Sequence, residues 1–450
     1  MPHERTAPLR ALGSLQRRTT LRAAAAALCL TALFAGRPAR AAVLAEDDLA
    51  DTSTEMGVIA RNFDFLFAGA TLRPPFTAAD ESPAATGILD LRSYASYRST
   101  HVRLVWHQTN LLELRSFAAL GTLDFGRGIP PPRMFPLYAE SDRGNLTLRT
   151  EADWLYAAYA AGMVTITLGR QPVTLGHSQL FHPWDIVASF SLTEVDTEYK
   201  PGADAARVDV SLSPKTTLAL IASGGSLERA HRVALDAQGS TLVMSLKQGF
   251  SKGEFGGLLA FAHGDIVAGY SALVSLRKLD LYTEISATWT GPSSLSSPAV
   301  AGRKAAVPRL LAGANLHPAS HLTLVPEAYY EGFGAKREQD YLAVAASERV
   351  RVGEQVVFGR LYGGAALDWE AHPLLHVISS AFVNALDPSA LASALAYYDA
   401  APNTRLTLGA YVPFGAAPTA TTTGSGPLVT TKSEYGLFPY FGFAEIRVVL

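Results

Sequence analysis

Apolar and polar residues alternate along most of this chain, with a period of two. Val208-Asp209-Val210-Ser211-Leu212, Leu279-Asp280-Leu281-Tyr282-Thr283-Glu284-Ile285, Val164-Thr165-Ile166-Thr167-Leu168 and Leu406-Thr407-Leu408-Gly409-Ala410 all carry it. A period of two puts one face of a β-strand in apolar surroundings and the other in polar ones. The runs are about nine to thirteen residues long, whereas strands of soluble domains usually span about five or six. A strand crossing a membrane at a tilt needs roughly 9–11. Length and period together predict a transmembrane antiparallel up-and-down β-barrel.

Composition fits that class and excludes others. Of 450 residues, 48% are hydrophobic and only 17% charged, with a formal net charge of −2. Soluble domains carry roughly 25% charged residues. The apolar content rules out intrinsic disorder, a single cysteine rules out a disulfide scaffold, and the lack of a basic run argues against nucleic acid as a partner. One stretch competes with the strand reading, Leu258–Leu276. As a helix it would bury His263, Gly264 and Asp265 in hydrocarbon, which is costly; two strands joined there put them in a turn.

The N-terminus reads as an address. Arg5, Arg10, Arg17, Arg18 and Arg22 precede the apolar run Ala23–Ala35, and Ala39 and Ala41 form an A-x-A cleavage pattern. This is the layout of a secretory signal peptide, here residues 1–41, and the run is too short to span a bilayer as a helix. Cys29 leaves with it. The remainder has 31 basic and 39 acidic residues, a formal charge of −8. Residues 42–56 are then a periplasmic segment and 57–450 one barrel domain.

Short connections at Arg98–Thr100, Ala160–Gly162, Ser213–Lys215, Ser251–Glu254, Leu276–Lys278, His317–Ser320, Glu370–Pro373 and Ala400–Asn403 alternate with longer ones. The longest lie near 116–146, 173–202, 225–239, 291–304, 333–355 and 415–433. Outer-membrane barrels have short periplasmic turns and long outer loops. Seventeen strands follow from Ile88 onward, and parity adds Gly57–Ala68 to make about 18, with 16 as the second count.

In such a barrel the apolar face meets lipid and the polar face the lumen. Leu89, Leu91, Leu148, Ala152, Trp154, Tyr156 and Ala158 are therefore expected outside, as are Trp106, Trp289 and Trp369, whose rings suit interfacial girdles. The lumen-facing candidates for selectivity are Asp90, Arg92, Arg98, Arg103, His107, Arg149, Glu151 and Asp153 on the early strands. Arg207, Asp209, Asp280, Glu284, Glu327, Arg360, Asp368, Arg405, Glu445 and Arg447 follow on the later ones. Their signs are mixed, so pairing across strands and charge rings at a constriction are both open, and no ion selectivity follows.

The stretch Leu168-Gly169-Arg170-Gln171-Pro172 leads to Phe181-His182-Pro183-Trp184-Asp185 and then Pro201-Gly202-Ala203-Asp204-Ala205-Ala206-Arg207. Over these forty residues the chain resembles proteobacterial outer-membrane porin-like barrels, including the alginate-export type, where a strand ends in Gly-Arg-Gln before a long loop. The resemblance implies an 18-stranded barrel passing polar solutes across the outer membrane of a Gram-negative bacterium. Gly169, Arg170, Gln171, Pro183 and Asp185 become candidate loop anchors, with a solvent-exposed Arg-Gln as the simpler alternative. His182, Asp185, Glu194, Asp196 and Glu198 form either a solvated acidic loop or a cation site. Barrels of this type end in an aromatic residue; here the last residue is Leu450, after Tyr440, Phe441 and Phe443.

No phosphate loop, His-Glu-x-x-His, cysteine cluster or G-x-S-x-G elbow is present, so no catalytic set, metal or cofactor is expected. His372 and His376 share a strand face without other ligands. The reading is a passive channel for small polar solutes, narrowed by loop 173–202 or 116–146. The alternatives are an export conduit for an acidic polysaccharide, a barrel-borne hydrolase and a non-conducting surface protein. Expected partners are outer-membrane lipid and lipopolysaccharide, the barrel-assembly machinery and, as in many porins, two further copies in a homotrimer.

Overall fold

The computed structural model describes residues 42–47, 52–68, 84–115, 129–196, 198–228, 231–298, 306–423 and 426–450. The signal peptide therefore lies outside the described residues, as do the loop tips 69–83, 116–128 and 299–305. The strands in chain order are β1 (Ala42–Asp47), β2 (Thr52–Ala68), β3 (Ala84–Arg98), β4 (Val102–Arg115), β5 (Tyr138–Arg143), β6 (Leu146–Ala161) and β7 (Val164–Gln171). Then come β8 (Ala203–Ser213), β9 (Thr216–Ser223), β10 (Thr241–Phe250), β11 (Gly253–Ala262), β12 (Asp265–Leu276), β13 (Leu279–Trp289), β14 (Ala306–Ala319) and β15 (Leu322–Glu331). The last are β16 (Leu361–His372), β17 (Leu375–Asn384), β18 (Ser389–Ala401), β19 (Thr404–Phe414), β20 (Thr419–Thr423), β21 (Gly426–Thr430) and β22 (Tyr440–Val449).

Eighteen of these close into one antiparallel ring, each strand pairing with the next and β22 pairing with β2 to seal it. Closure removes every free edge, as a wall in hydrocarbon requires. Outside the count stand β1, which pairs with the start of β2, the hairpin β20–β21, and β5. The first ring strand begins at Thr52, earlier than the expected Gly57. Leu258–Leu276 is a hairpin turning at His263 and Gly264, both with positive φ.

Register confirms which face is which. Leu148, Leu168, Leu220, Leu242, Leu310 and Leu408 stand exposed on the outer face, as do Trp106, Trp289 and Trp369. One expectation fails. Trp154, Tyr156 and Ala158 point inward, because Asp153 is an extra residue opposite the His107/Gln108 step of β4. One inserted residue exchanges the two faces of everything after it. Leu155 and Tyr159, 46% and 52% exposed, hold the outer positions instead.

The bulge marks a change of partner. Below it, β6 pairs with β7; above it, Leu146–Glu151 pairs with β5. Part of loop 116–146 is thus a piece of the wall. Inside, the infolded loops pack on inward aromatic side chains. Phe63, Phe65 and Phe67 of β2, Tyr411 of β19, Phe441 and Phe443 of β22, and Phe181, Tyr329, Tyr362 and Phe382 make one buried cluster. One side of the barrel interior therefore holds an apolar cluster, where alternation alone predicts a uniformly polar lumen.

Candidate functional site: the lumen and its infolded loop

Loop 172–202 leaves the wall at Gln171 and folds into the barrel. Two inward carboxylates on the far wall hold its turn. Glu284 accepts hydrogen bonds from the backbone N–H groups of His177 and Ser178, the latter at 2.9 Å, and from the Ser178 hydroxyl at 3.2 Å. Glu327 accepts from the N–H groups of Gln179 at 2.7 Å, Leu180 at 3.2 Å and Phe181 at 2.9 Å, and from the Tyr282 hydroxyl at 2.7 Å. Consecutive N–H groups converging on one charge form an anion nest. It gives these two acids partners that β-strand neighbours do not supply.

Rings complete the seat. The Phe181 ring stacks on Tyr329 at 5.0 Å and meets Phe382 edge-on. Trp184 lies over Gly256 and Gly269, where a Cβ on Gly269 would stand 2.9 Å from the indole nitrogen, and donates to the Ile285 carbonyl at 3.2 Å. Lys200 pairs with the buried Asp185. Burial, opposed by Lys200, raises the Asp185 carboxyl to about 7 and, with Lys200, lowers His182 to about 4; burial, helped by the Asp196 charge, raises Glu194 to about 7.

The return limb meets the opposite wall. Asp196 pairs with Arg61 at 2.7 Å, Glu198 pairs with Arg405 at 3.4 Å and with Arg447, and Arg92 lies 4.1 Å over the Tyr199 ring. The five residues weighed as a cation site are thus dispersed among protein partners, and among the described residues no group of three or more ligands converges on a metal position.

Arg170 and Gln171 are buried rather than solvated. Gly169, at φ +117°, turns the chain where a Cβ would stand 2.2 Å from the Leu155 carbonyl oxygen. Arg170 then reaches Asp204 with two bonds of 2.7 and 3.0 Å, the Ala152 carbonyl at 2.9 Å and the Phe135 carbonyl at 2.6 Å. Asp204 also accepts from the N–H groups of Met134 and Phe135, both at 2.9 Å. This pair clamps segment 133–136, the approach to β5, against the wall. Gln171 donates to the Ala205 carbonyl at 3.0 Å.

The remaining expected lumen residues fall as follows. Asp90 pairs with Arg61 at 2.9 Å, Asp153 with Arg92 at 3.3 Å and Arg133 at 3.1 Å, and Glu151 with Arg133 and Arg149. Arg207 pairs with Asp209, Arg405 with Asp399, Asp280 with His317 and Asp368 with His376, while Glu445 accepts from Thr407. His107 stacks on Trp154 at 4.3 Å, and Arg98 and Arg103 face each other at the short-turn end. Arg360 departs from expectation: it precedes β16, and its guanidinium donates to the Gly334 carbonyl at the rim. The alternation missed Arg61, because the first strand was its least marked stretch, and Arg133, which lies on a loop.

Between this loop and the β2–β6 wall remains a cleft of ≈ 490 Å³, lined by four arginines, eight carboxylates, Tyr199, Phe63 and Phe65.

No protein-family model matches the chain, and no curated protein matches it. Its structure is similar to solved barrels. One is a BenF-like porin from Pseudomonas fluorescens Pf-5, with TM-score 0.51 and 10% identity over 88% of this chain and 98% of that one. Pseudomonas aeruginosa OccK8 (OprE) gives 0.52 and 8% over the same shares, and P. aeruginosa OccD3 (OpdP) gives 0.50 and 9% over 91% and 94%. Over that coverage, this chain has the fold of the Pseudomonas outer-membrane porins.

Proposed function

We propose that the protein is an outer-membrane channel through which small polar solutes diffuse passively. The observation that carries this reading is the charged cleft left open beside loop 172–202, inside a closed wall whose outer face is apolar. The loop is fastened at both limbs, so it acts as a fixed constriction, and solutes pass along the Arg92, Arg149 and Asp153 side. Charged side chains of both signs replace water around a polar solute in such a passage. P. aeruginosa OccK2 (OpdF), of similar fold with TM-score 0.50 and 9% identity, was solved in complex with glucuronate. A small hydroxylated acid of that kind is a suitable first solute to test. Four arginines among eight carboxylates can meet the single carboxylate of a small acid but do not make the continuous arginine lining that an acidic polymer needs, which argues against a conduit for such a polymer.

Export through the N-terminal signal peptide and insertion by the barrel-assembly machinery, next to lipopolysaccharide, belong to the same reading. Planar-bilayer recording on refolded protein tests it. Stepwise conductance that falls when glucuronate is added supports it; a heat-modifiable barrel that stays silent overturns it.

A further inference from the structure

The bulge at Asp153 has a second effect, on the lumen side of the wall. Tyr94 of β3, His107 of β4 and Trp154 of β6 stand opposite one another in register, so their rings form one row across three strands. Tyr94 lies 5.8 Å from His107, and His107 lies 4.3 Å from Trp154. Without the extra residue Trp154 would face lipid, and the row would stop at His107. Bulges next to functional sites re-aim a side chain in this way. The Trp154 indole N–H donates to the Lys200 carbonyl at 2.9 Å, which ties the ring to loop 172–202. Tyr199 of that loop leans over the row, 6.0 Å from Trp154 and 6.2 Å from His107. None of the four rings is fully buried, and because they point inward, the part left open faces the lumen.

The row sits at the short-turn end of the charged cleft. Arg92 and Asp153 line that cleft and stand just beyond the row on its long-loop side. Tyr199 lines the cleft as well, with the Arg92 guanidinium 4.1 Å from its ring. On the short-turn side the next inward positions hold Glu55 and Ser96, which face each other in register, and Arg103 follows on β4. Glu55 and Arg103 are exposed. A solute that leaves the cleft along the Arg92 side crosses these rings, with donors and acceptors above and below them.

From this we infer that the row Tyr94–His107–Trp154, with Tyr199, is a stacking site for a pyranose ring, so that the channel favours cyclic sugars. The inference rests on the channel reading and names its solute class. One face of a pyranose carries mainly C–H groups, and its rim carries hydroxyls. Aromatic side chains offer an apolar body to such a face. Hydroxyls both donate and accept, so the rim needs partners of both kinds. Arg92 and Arg103 supply donors, Asp153 and Glu55 supply acceptors, and Ser96 supplies both. An open-chain polyol has the hydroxyls without the apolar face. A flat aromatic acid has the apolar faces without the rim.

The test is block of the single-channel current in planar bilayers by methyl β-glucoside, by mannitol and by benzoate. The glucoside should reach half-block at a concentration about three- to tenfold below that of mannitol, which is the worth of one ring contact. Equal concentrations for the two, or stronger block by benzoate than by the glucoside, overturn the inference. Trp154→Leu and Tyr199→Leu should each raise the glucoside concentration toward that of mannitol, in protein whose gel band still shifts on heating. A folded variant of either kind that keeps the wild-type preference also overturns it. A silent barrel defeats the channel reading and this inference with it, whereas steady conductance without a preference for the ring defeats this inference alone.

Discussion

Glu327 on strand β15 accepts a hydrogen bond from the backbone N–H of Phe181 at 2.9 Å, although 146 residues separate them in sequence. The bond spans the lumen and ties a loop to the wall it faces. Hydrogen bonds to a charged group contribute about 1.5–3 kcal/mol each, and Glu327 collects four. Replacing it by alanine in Glu327→Ala should free the loop turn, raise single-channel conductance and broaden its noise. Glu327→Gln should lie between the two. An unchanged conductance would show that the loop does not set the constriction.

Arg170 and Asp204 form the buried clamp at the fork of the wall. Removing one partner of such a pair costs about 3–5 kcal/mol, because the other is left charged and buried. Arg170→Ala should lower the urea midpoint of unfolding in micelles accordingly. Arg170→Lys should recover little of it, since an ammonium cannot bond both Asp204 oxygens and two carbonyls in one plane.

The bulge at Asp153 makes a prediction about two adjacent residues. Leu155→Arg should destabilise the barrel by about 2–4 kcal/mol if it lies at mid-depth, the cost of an arginine on the lipid face. Tyr156→Arg, which points inward, should be tolerated. Without the bulge the order would reverse, so urea titration of both variants decides it.

Loop 431–439 carries a pH dependence. Glu434 is buried against Tyr362, Asn384 and the N–H groups of Phe358 and Gly359. Burial raises its carboxyl from the usual 4.5 to about 7. A carboxyl whose pKa is higher when folded stabilises fully below its unfolded pKa and loses that contribution as pH rises through the folded one. Protection of the Phe358 and Gly359 amides, corrected for intrinsic exchange, should therefore fall between pH 5 and 8. Glu434→Gln should flatten the fall. Glu354 does not titrate in this window: burial opposes ionisation, yet Arg349 and Arg309 hold it down to about 2.

The barrel was legible because alternation, strand length and the phase of short and long connections are all local properties of the chain. The inward set followed from the same pattern wherever it ran unbroken, as at Asp90 and Arg92. It failed at Trp154 because a bulge is an event between two strands, and nothing in Asp153-Trp154-Leu155 announces that β4 lacks a matching residue. The aromatic cluster inside the barrel was hidden for a related reason. Phe63, Phe65 and Phe67 alternate with Asn62, Asp64 and Leu66 in a way that an inside-out reading assigns to lipid. Only the register with Arg61 and Asp90 fixes them inside. The carboxylate seats of loop 172–202 depend on pairs more than a hundred residues apart, such as Glu284 with Ser178.

The strand Tyr138–Arg143 gives the long connection before β6 an unusual place in the wall. Surface connections ordinarily tolerate insertions and change fastest among relatives. Here Tyr138–Arg143 is fixed by its ladder to β6, and Met134 and Phe135 just before it by Arg170 and Asp204, so a length change on either side shifts the register of the wall itself. This stretch should drift as slowly as the barrel strands, and exchange of outer loops between related barrels should succeed only when its cut points leave the whole of 133–143 in place.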